Sequence, residues 1–239
     1  MKSAQDILYN ISETSTFYGM VLDEDQSNFV QSIINPDNTI IFCDAAAGSG
    51  KTTLAVAAGS LLCNARLYNK LIYIAAPVQE HTQGYLPGSL EEKSSIYFEP
   101  LYQALSTLNI NRNTSLITDN NLQAQKEGTA YIQPLTHTFL RGTNFENSVV
   151  IIDEAANFYT DELKKVLTRL HDTCKIVVIG HHGQVDLYKN PERSGFVRYL
   201  KWFEGHPHVA ICKLTKNYRG WVSSHADAMP IDYMDSIEI

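Results

Sequence analysis

Two short stretches of this 239-residue chain carry the residue types that phosphate chemistry needs. The first is DAAAGSGKTT, residues 44–53, which follows the apolar run TIIFC and leads into a segment rich in Ala, Leu and Val. Glycines at 48 and 50 allow the backbone to curl so that successive amide N–H groups point inward, and a helix starting near Lys51 adds its positive end. Ala47, Gly48, Ser49, Gly50, Lys51, Thr52 and Thr53 are the expected phosphate cradle; Lys51 reaches the β- and γ-phosphates and the Thr52 hydroxyl ligates Mg2+. The usual pattern GxxxxGKS/T begins with glycine, whereas this chain has Ala45, a change that costs little if that position takes a φ open to alanine. The second stretch is VVIIDEAA, residues 149–156, an apolar run ending in two carboxylates. Asp153 is expected to hold Mg2+ through its water shell and Glu154 to polarise an attacking water. The plain alternatives are a Gly-rich turn with an incidental lysine and an acidic helix start, since carboxylates favour the N-terminal end of a helix.

Both stretches must be carried by elements that bring them together. Short apolar runs at Thr39–Cys43, Leu71–Ala75, Val149–Ile152, Lys175–Ile179 and Val209–Cys212 read as strands buried on both faces. Segments of helical period lie between them, at roughly 51–64, 90–107, 160–170 and 194–203. Strands alternating with helices predict an α/β protein with a mostly parallel sheet and helices on both faces. In such a sheet Asp153 reaches the carboxyl edge, where ligands sit, next to the glycine loop. The polar region 109–146, with its Asn-rich NINRNTSLITDNN, reads as an irregular insertion or flap, and the length fits one domain over 1–239.

Composition narrows the partners. Nineteen Lys and Arg against 26 Asp and Glu give a net charge of −7, which excludes a wholly basic coat for nucleic acid. The charge is uneven: residues 1–159 hold 8 basic and 16 acidic groups, residues 160–219 hold 11 and 6, and residues 220–239 hold none and 4. A polyanion would meet the third quarter first. No apolar run approaches the roughly 18 residues of a membrane span, and Asp6 and Glu13 sit where a secretory signal would be uncharged. Four scattered cysteines without a CxxC pair read as buried thiols, so a cytoplasmic protein is expected.

Taken together, the residues resemble the PhoH family of P-loop ATPases, whose core is related to superfamily 1 helicases. The likeness spans about residues 20–220. It includes Leu86, Pro87, Gly88, Glu92, Lys93, Pro100, Leu101, Ala104 and Leu105 between the two stretches, and Arg141 and Gly142 before the acidic strand. Leu167, Thr168, Arg169, Lys175, Gly180, Gln184 and Asp186 match the family's third motif. Two positions depart from it: His181 stands where the family has Asp after the third motif's glycine, and Ala156 where it has Gln after Asp-Glu-Ala. The resemblance implies a RecA-like P-loop fold, ATP and Mg2+ as ligands, ATP hydrolysis coupled to single-stranded RNA or DNA, and a homo-oligomer, with a ring as one form open to it. It also implies roles: Gln184 senses the γ-phosphate, Arg219 or Arg141 neutralises charge there, and Gln26 reads the adenine edge with its amide.

For the polynucleotide, Tyr85, Tyr97 and Phe98 are candidates for base stacking, and Lys164, Lys165, Arg169, Arg198 and Lys201 for phosphate contacts. The alternatives are core aromatics and solvated helix faces. Because His181 and Ala156 remove two polar groups, a hydrolytically weak ATP-binding regulatory or scaffold module is the competing expectation. A small-molecule kinase ranks third, because an Asp-Glu pair favours water as the acceptor.

Overall fold

The computed structural model describes residues 16–76, 96–118, 121–136, 142–183 and 193–229. Six parallel strands form one sheet: β1 (Ile40–Ala45), β2 (Lys70–Ala75), β3 (Ile132–Thr136), β4 (Ser148–Asp153), β5 (Lys175–Gly180) and β6 (Val209–Leu214), in the order β3-β2-β4-β5-β1-β6. The helices are α1 (Glu24–Ile34), α2 (Lys51–Asn64), α3 (Glu99–Thr107), α4 (Arg112–Ser115), α5 (Leu122–Glu127), α6 (Thr160–Leu167), α7 (Gly195–Phe203) and α8 (Trp221–Asp227). None of the helices among the described residues is long and apolar enough to cross a membrane.

The aliphatic strands make sense in this sheet because apolar layers cover both of its faces. On one face Phe29, Val30 and Ile33 of α1, Leu54 of α2 and Leu101 and Leu105 of α3 pack over Ile41, Leu71, Val149 and Val177. On the other, Leu163 of α6 and Phe196 of α7 pack with Phe42, Val150, Ile152 and Val178. Helix α2 lies close against β2 and β4: a Cβ added at Gly59 would stand 2.8 Å from Leu71 Cδ1 and 3.2 Å from Val149 Cγ1. That proximity fixes where the helix begins, and therefore where the glycine loop sits above the strand ends.

The five expected strands are present, and the sheet is parallel throughout. The region 109–146 is more than an insertion, because Ile132–Thr136 supplies the edge strand β3, paired with β2 from Leu71↔Ile132 to Ala75↔Thr136. Its sequence IQPLT is short and contains Pro134, which lacks an N–H and is tolerated at a sheet edge. The segment expected to be helical over 90–107 runs as a 3-10 turn at Ile96–Phe98 followed by α3, with Pro100 in the first helical turn; its part before 96 lies outside the described residues. The helix expected over 160–170 ends at Leu167.

Candidate nucleotide site

At the carboxyl ends of β1 and β4 the two sequence stretches meet. Strand β1 ends at Ala45, which pairs with Leu214 and has no left-handed φ, so alanine replaces the expected glycine without strain. The next residues turn sharply, with Gly48 at φ +68° and Gly50 at φ +82°. Gly48 needs both its backbone freedom and its missing side chain: a Cβ there would lie 2.6 Å from Asn217 Oδ1 and 2.8 Å from Arg219 Cγ. Helix α2 starts at Lys51 with no side chain capping its first turn. Its leading N–H groups are thus left to a ligand, and the helix dipole favours an anionic one.

Across from the loop, Asp153 is buried at the end of β4 and accepts three hydrogen bonds. Thr52 Oγ1 donates to its Oδ2 at 2.7 Å, Tyr73 Oη donates to the same Oδ2 at 2.7 Å, and the Glu154 N–H donates to Oδ1 at 2.8 Å. Burial, reinforced by the charge of Asp153, pushes the Tyr73 phenol well above its ordinary pKa, so it stays a donor. Glu154 lies in the left-handed region at φ +50°, an unusual conformation for a residue with a side chain. Its Oε1 is 3.6 Å from Lys51 Nζ.

A second set of contacts holds the loop from the other side. Gln26 caps α1 reciprocally with Asp23, accepting the Asp23 N–H at 3.2 Å and giving its own N–H to the Asp23 carboxylate at 2.8 Å. Its Nε2 also donates to Ser49 O at 3.0 Å, which ties α1 to the loop. Beyond β6, the Tyr218 N–H donates to Gly48 O at 2.9 Å, and Tyr218 Oη donates to Asp23 at 2.6 Å, a bond that pushes the phenol up to about 12. Arg219 is exposed beside Gly48. On the far side of β1, Asp44 accepts the His182 N–H at 3.1 Å and meets His182 Nδ1 at 2.8 Å, while His181 stacks on His182 at 5.3 Å.

The structure brings Lys51, Thr52, Asp153, Glu154, Gln26 and Arg219 to one edge of the sheet; Gln184, Arg141, Tyr85 and the Leu86–Gly88 turn lie outside the described residues. Phe98, a candidate for base stacking, is a core residue, packed edge-on against Tyr73 with centroids 6.5 Å apart. Tyr97 is half-buried against the same core. Four residues escaped sequence reasoning: Tyr73, Asp44, Asp23 and Tyr218. Only Tyr73 left a signal, as the lone phenol in an otherwise aliphatic strand, where a buried hydroxyl needs a partner.

The residues present fit a nucleotide phosphate chain with Mg2+. Ser49 Oγ is buried in the loop with no hydrogen-bond partner among the described residues, the first turn of α2 lacks a side-chain cap, and Thr52 with Asp153 offers hard oxygen donors. No group of three or more His, Cys, Asp or Glu among the described residues could hold a metal by itself.

A glycine loop between β1 and α2, facing the acidic end of β4 in a parallel sheet, defines a P-loop NTPase fold. The chain belongs to the PhoH family: the model described as PhoH-like protein matches residues 21–220. It is 31% identical over 205 residues to the protein PhoH2 of Bacillus subtilis, covering 84% of this chain and 45% of that one. A PhoH-like protein of the same organism is 33% identical over 180 residues, covering 74% and 53%, and the protein PhoH of Escherichia coli is 31% identical over 196, covering 81% and 52%. The chain therefore spans about half the length of these relatives. Among solved structures, the large terminase of bacteriophage D6E superposes with a TM-score of 0.52 at 11% identity, over 90% of this chain and 49% of that one, a likeness of fold.

Proposed function

We propose that this protein binds ATP with Mg2+ and hydrolyses it, coupling the nucleotide state to single-stranded RNA or DNA. The observation that carries the reading is the contact of Thr52 with Asp153 at 2.7 Å beside the Lys51–Glu154 pair at 3.6 Å, which gathers a cation for the phosphates, two metal-ligand groups and a water-orienting carboxylate where the start of α2 meets the end of β4. Mg2+, when bound, would supply positive charge against the phosphates. In this reading Thr52 and Asp153 hold the ion, the amides of residues 47–53 cradle the phosphates, and Lys51 leaves Glu154 for the γ-phosphate. Glu154 orients the attacking water, and its place next to Asp153 in the chain keeps that water beside the metal shell. Arg219, whose stem lies beside Gly48, supplies positive charge in the same subunit; Gln184 and Arg141 complete the set, Arg141 acting either in its own subunit or across an interface. Gln26 reads the adenine edge: with one amide proton on Ser49, it retains by count a second N–H for the base.

Lys164, Lys165, Arg198 and Lys201 are exposed on α6 and α7, which supports a polynucleotide track on that side, although Lys165 spends its charge on Asp161 at 2.9 Å and Arg169 donates to Thr143 O. A homo-oligomer is part of the proposal, and exposed Trp202 and Trp221 support it. ATP turnover with and without single-stranded RNA or DNA tests the function. Wild type is expected to release phosphate, faster with polynucleotide, and Glu154→Gln to lose at least tenfold in kcat while still binding ATP; unchanged turnover in that variant would remove Glu154 as the water-orienting group. The second reading is a hydrolytically weak ATP-binding regulatory module. It is favoured by Ala156, buried with its carbonyl held by Ser194 Oγ at 2.7 Å, which puts a methyl group where the family carries a glutamine amide. Retention of labelled ATP with negligible product, indifferent to polynucleotide, would decide for it.

A further inference from the structure

We infer that Tyr73 is a positioning residue for the metal-holding carboxylate, through the bond from its hydroxyl to Asp153 Oδ2. The inference rests on the metal role given to Asp153 above and concerns a residue on a different strand. Tyr73 sits on β2, whose register with β4 places Ala75 opposite Asp153 and Tyr73 opposite Ile151. From there the ring runs beneath the acidic end, buried, with Phe98 edge-on against it. Its hydroxyl reaches Asp153 Oδ2 at 2.7 Å, the same oxygen that accepts from Thr52.

The division of labour among the three donors follows from where each is anchored. The Glu154 N–H belongs to the next residue of the chain and moves with Asp153. The Thr52 hydroxyl belongs to the phosphate loop and must turn its oxygen toward a cation when one binds. Tyr73 alone is fixed in the core, on a neighbouring strand, and a ring with two torsions held on all sides has little freedom to lose. It therefore sets the rotation of the Asp153 carboxylate before any ligand arrives. Groups hydrogen-bonded to metal-holding side chains typically change metal affinity by about 10–100-fold when removed.

Binding of a fluorescent, non-hydrolysable ATP analogue, titrated with Mg2+ and repeated in EDTA, tests this in wild type and Tyr73→Phe. The variant is expected to bind the analogue in EDTA as wild type does, within about twofold, and to need roughly tenfold more Mg2+ for half-maximal enhancement. Tyr73→Met, which also lacks the hydroxyl but fills the space with a flexible side chain, should show the same shift, and melting temperatures read alongside confirm folded protein. An unchanged Mg2+ midpoint in either folded variant overturns the inference, as does an equal loss of binding in EDTA, which would place the effect on the cradle. Wild-type binding indifferent to Mg2+ would instead overturn the metal assignment itself, and is recognised by flat titrations in all three proteins.

Discussion

Glu154 shows how one residue concentrates the tension between folding and function. Its left-handed backbone, φ +50°, turns its N–H back onto Asp153 and aims its side chain at Lys51. A side chain in that region costs roughly 1–2 kcal/mol, a cost glycine escapes. Glu154→Gly should consequently be more stable than Glu154→Ala by about 1 kcal/mol in urea denaturation, with both unable to support turnover. Equal stabilities would mean that the turn relaxes once the carboxylate is gone. At Ala45 the opposite holds: the sequence breaks the family pattern, yet the residue is an ordinary strand position.

Strand β5 and helix α1 share a lysine that has no part in the chemistry. Lys175 is buried at the start of β5, away from the site, and its Nζ donates to Asn35 O at 2.6 Å and to Asn38 O, closing the C-terminal end of α1. Burial lowers its pKa from 10.5 to about 8, with Asp37 pulling the other way. Between those values the unfolded chain still holds a proton that the folded chain has released, so stability from this group rises with pH through the window and is flat below it. A neutral amine keeps two N–H donors, enough for both carbonyls. Compared with Lys175→Met, wild type should therefore gain about 1–3 kcal/mol between pH 7 and 10; parallel pH profiles in thermal or urea melts would contradict the buried ionisation. Among the strands themselves, continuous apolar runs rich in Ile and Val foretold β1, β2, β4, β5 and β6. Strand β3 was hidden, because a five-residue edge strand containing Pro134 carries almost no periodic signal and is made a strand only by β2 beside it.

At the scale of the molecule, Lys164, Lys165, Arg198 and Lys201 are exposed on α6 and α7, the helices that cover the sheet face opposite α1, α2 and α3. Trp202 at 83% and Trp221 at 79% exposure are large apolar surfaces for water to cover, which suits a covered interface. Sedimentation velocity at increasing concentration, with and without an ATP analogue, is expected to show self-association; a monomer throughout would remove the oligomer and with it any role for Arg141 across an interface.

The glycine loop between β1 and α2 was legible in the sequence because it is a local turn, so a few adjacent residues with glycines at 48 and 50 state it almost completely. Asp153 and Glu154 were legible for a similar reason, as the charged end of an otherwise apolar strand. What the chain order alone could not decide were the contacts across it. Thr52 and Asp153 are 101 residues apart, Tyr73 and Asp153 80, and His182 and Asp44 138. Such pairs follow from strand order and register, which depend on the sum of packing over the whole sheet. For that reason the residue types of the site were set locally, while the orientation of its one buried carboxylate was settled only by the tertiary fold.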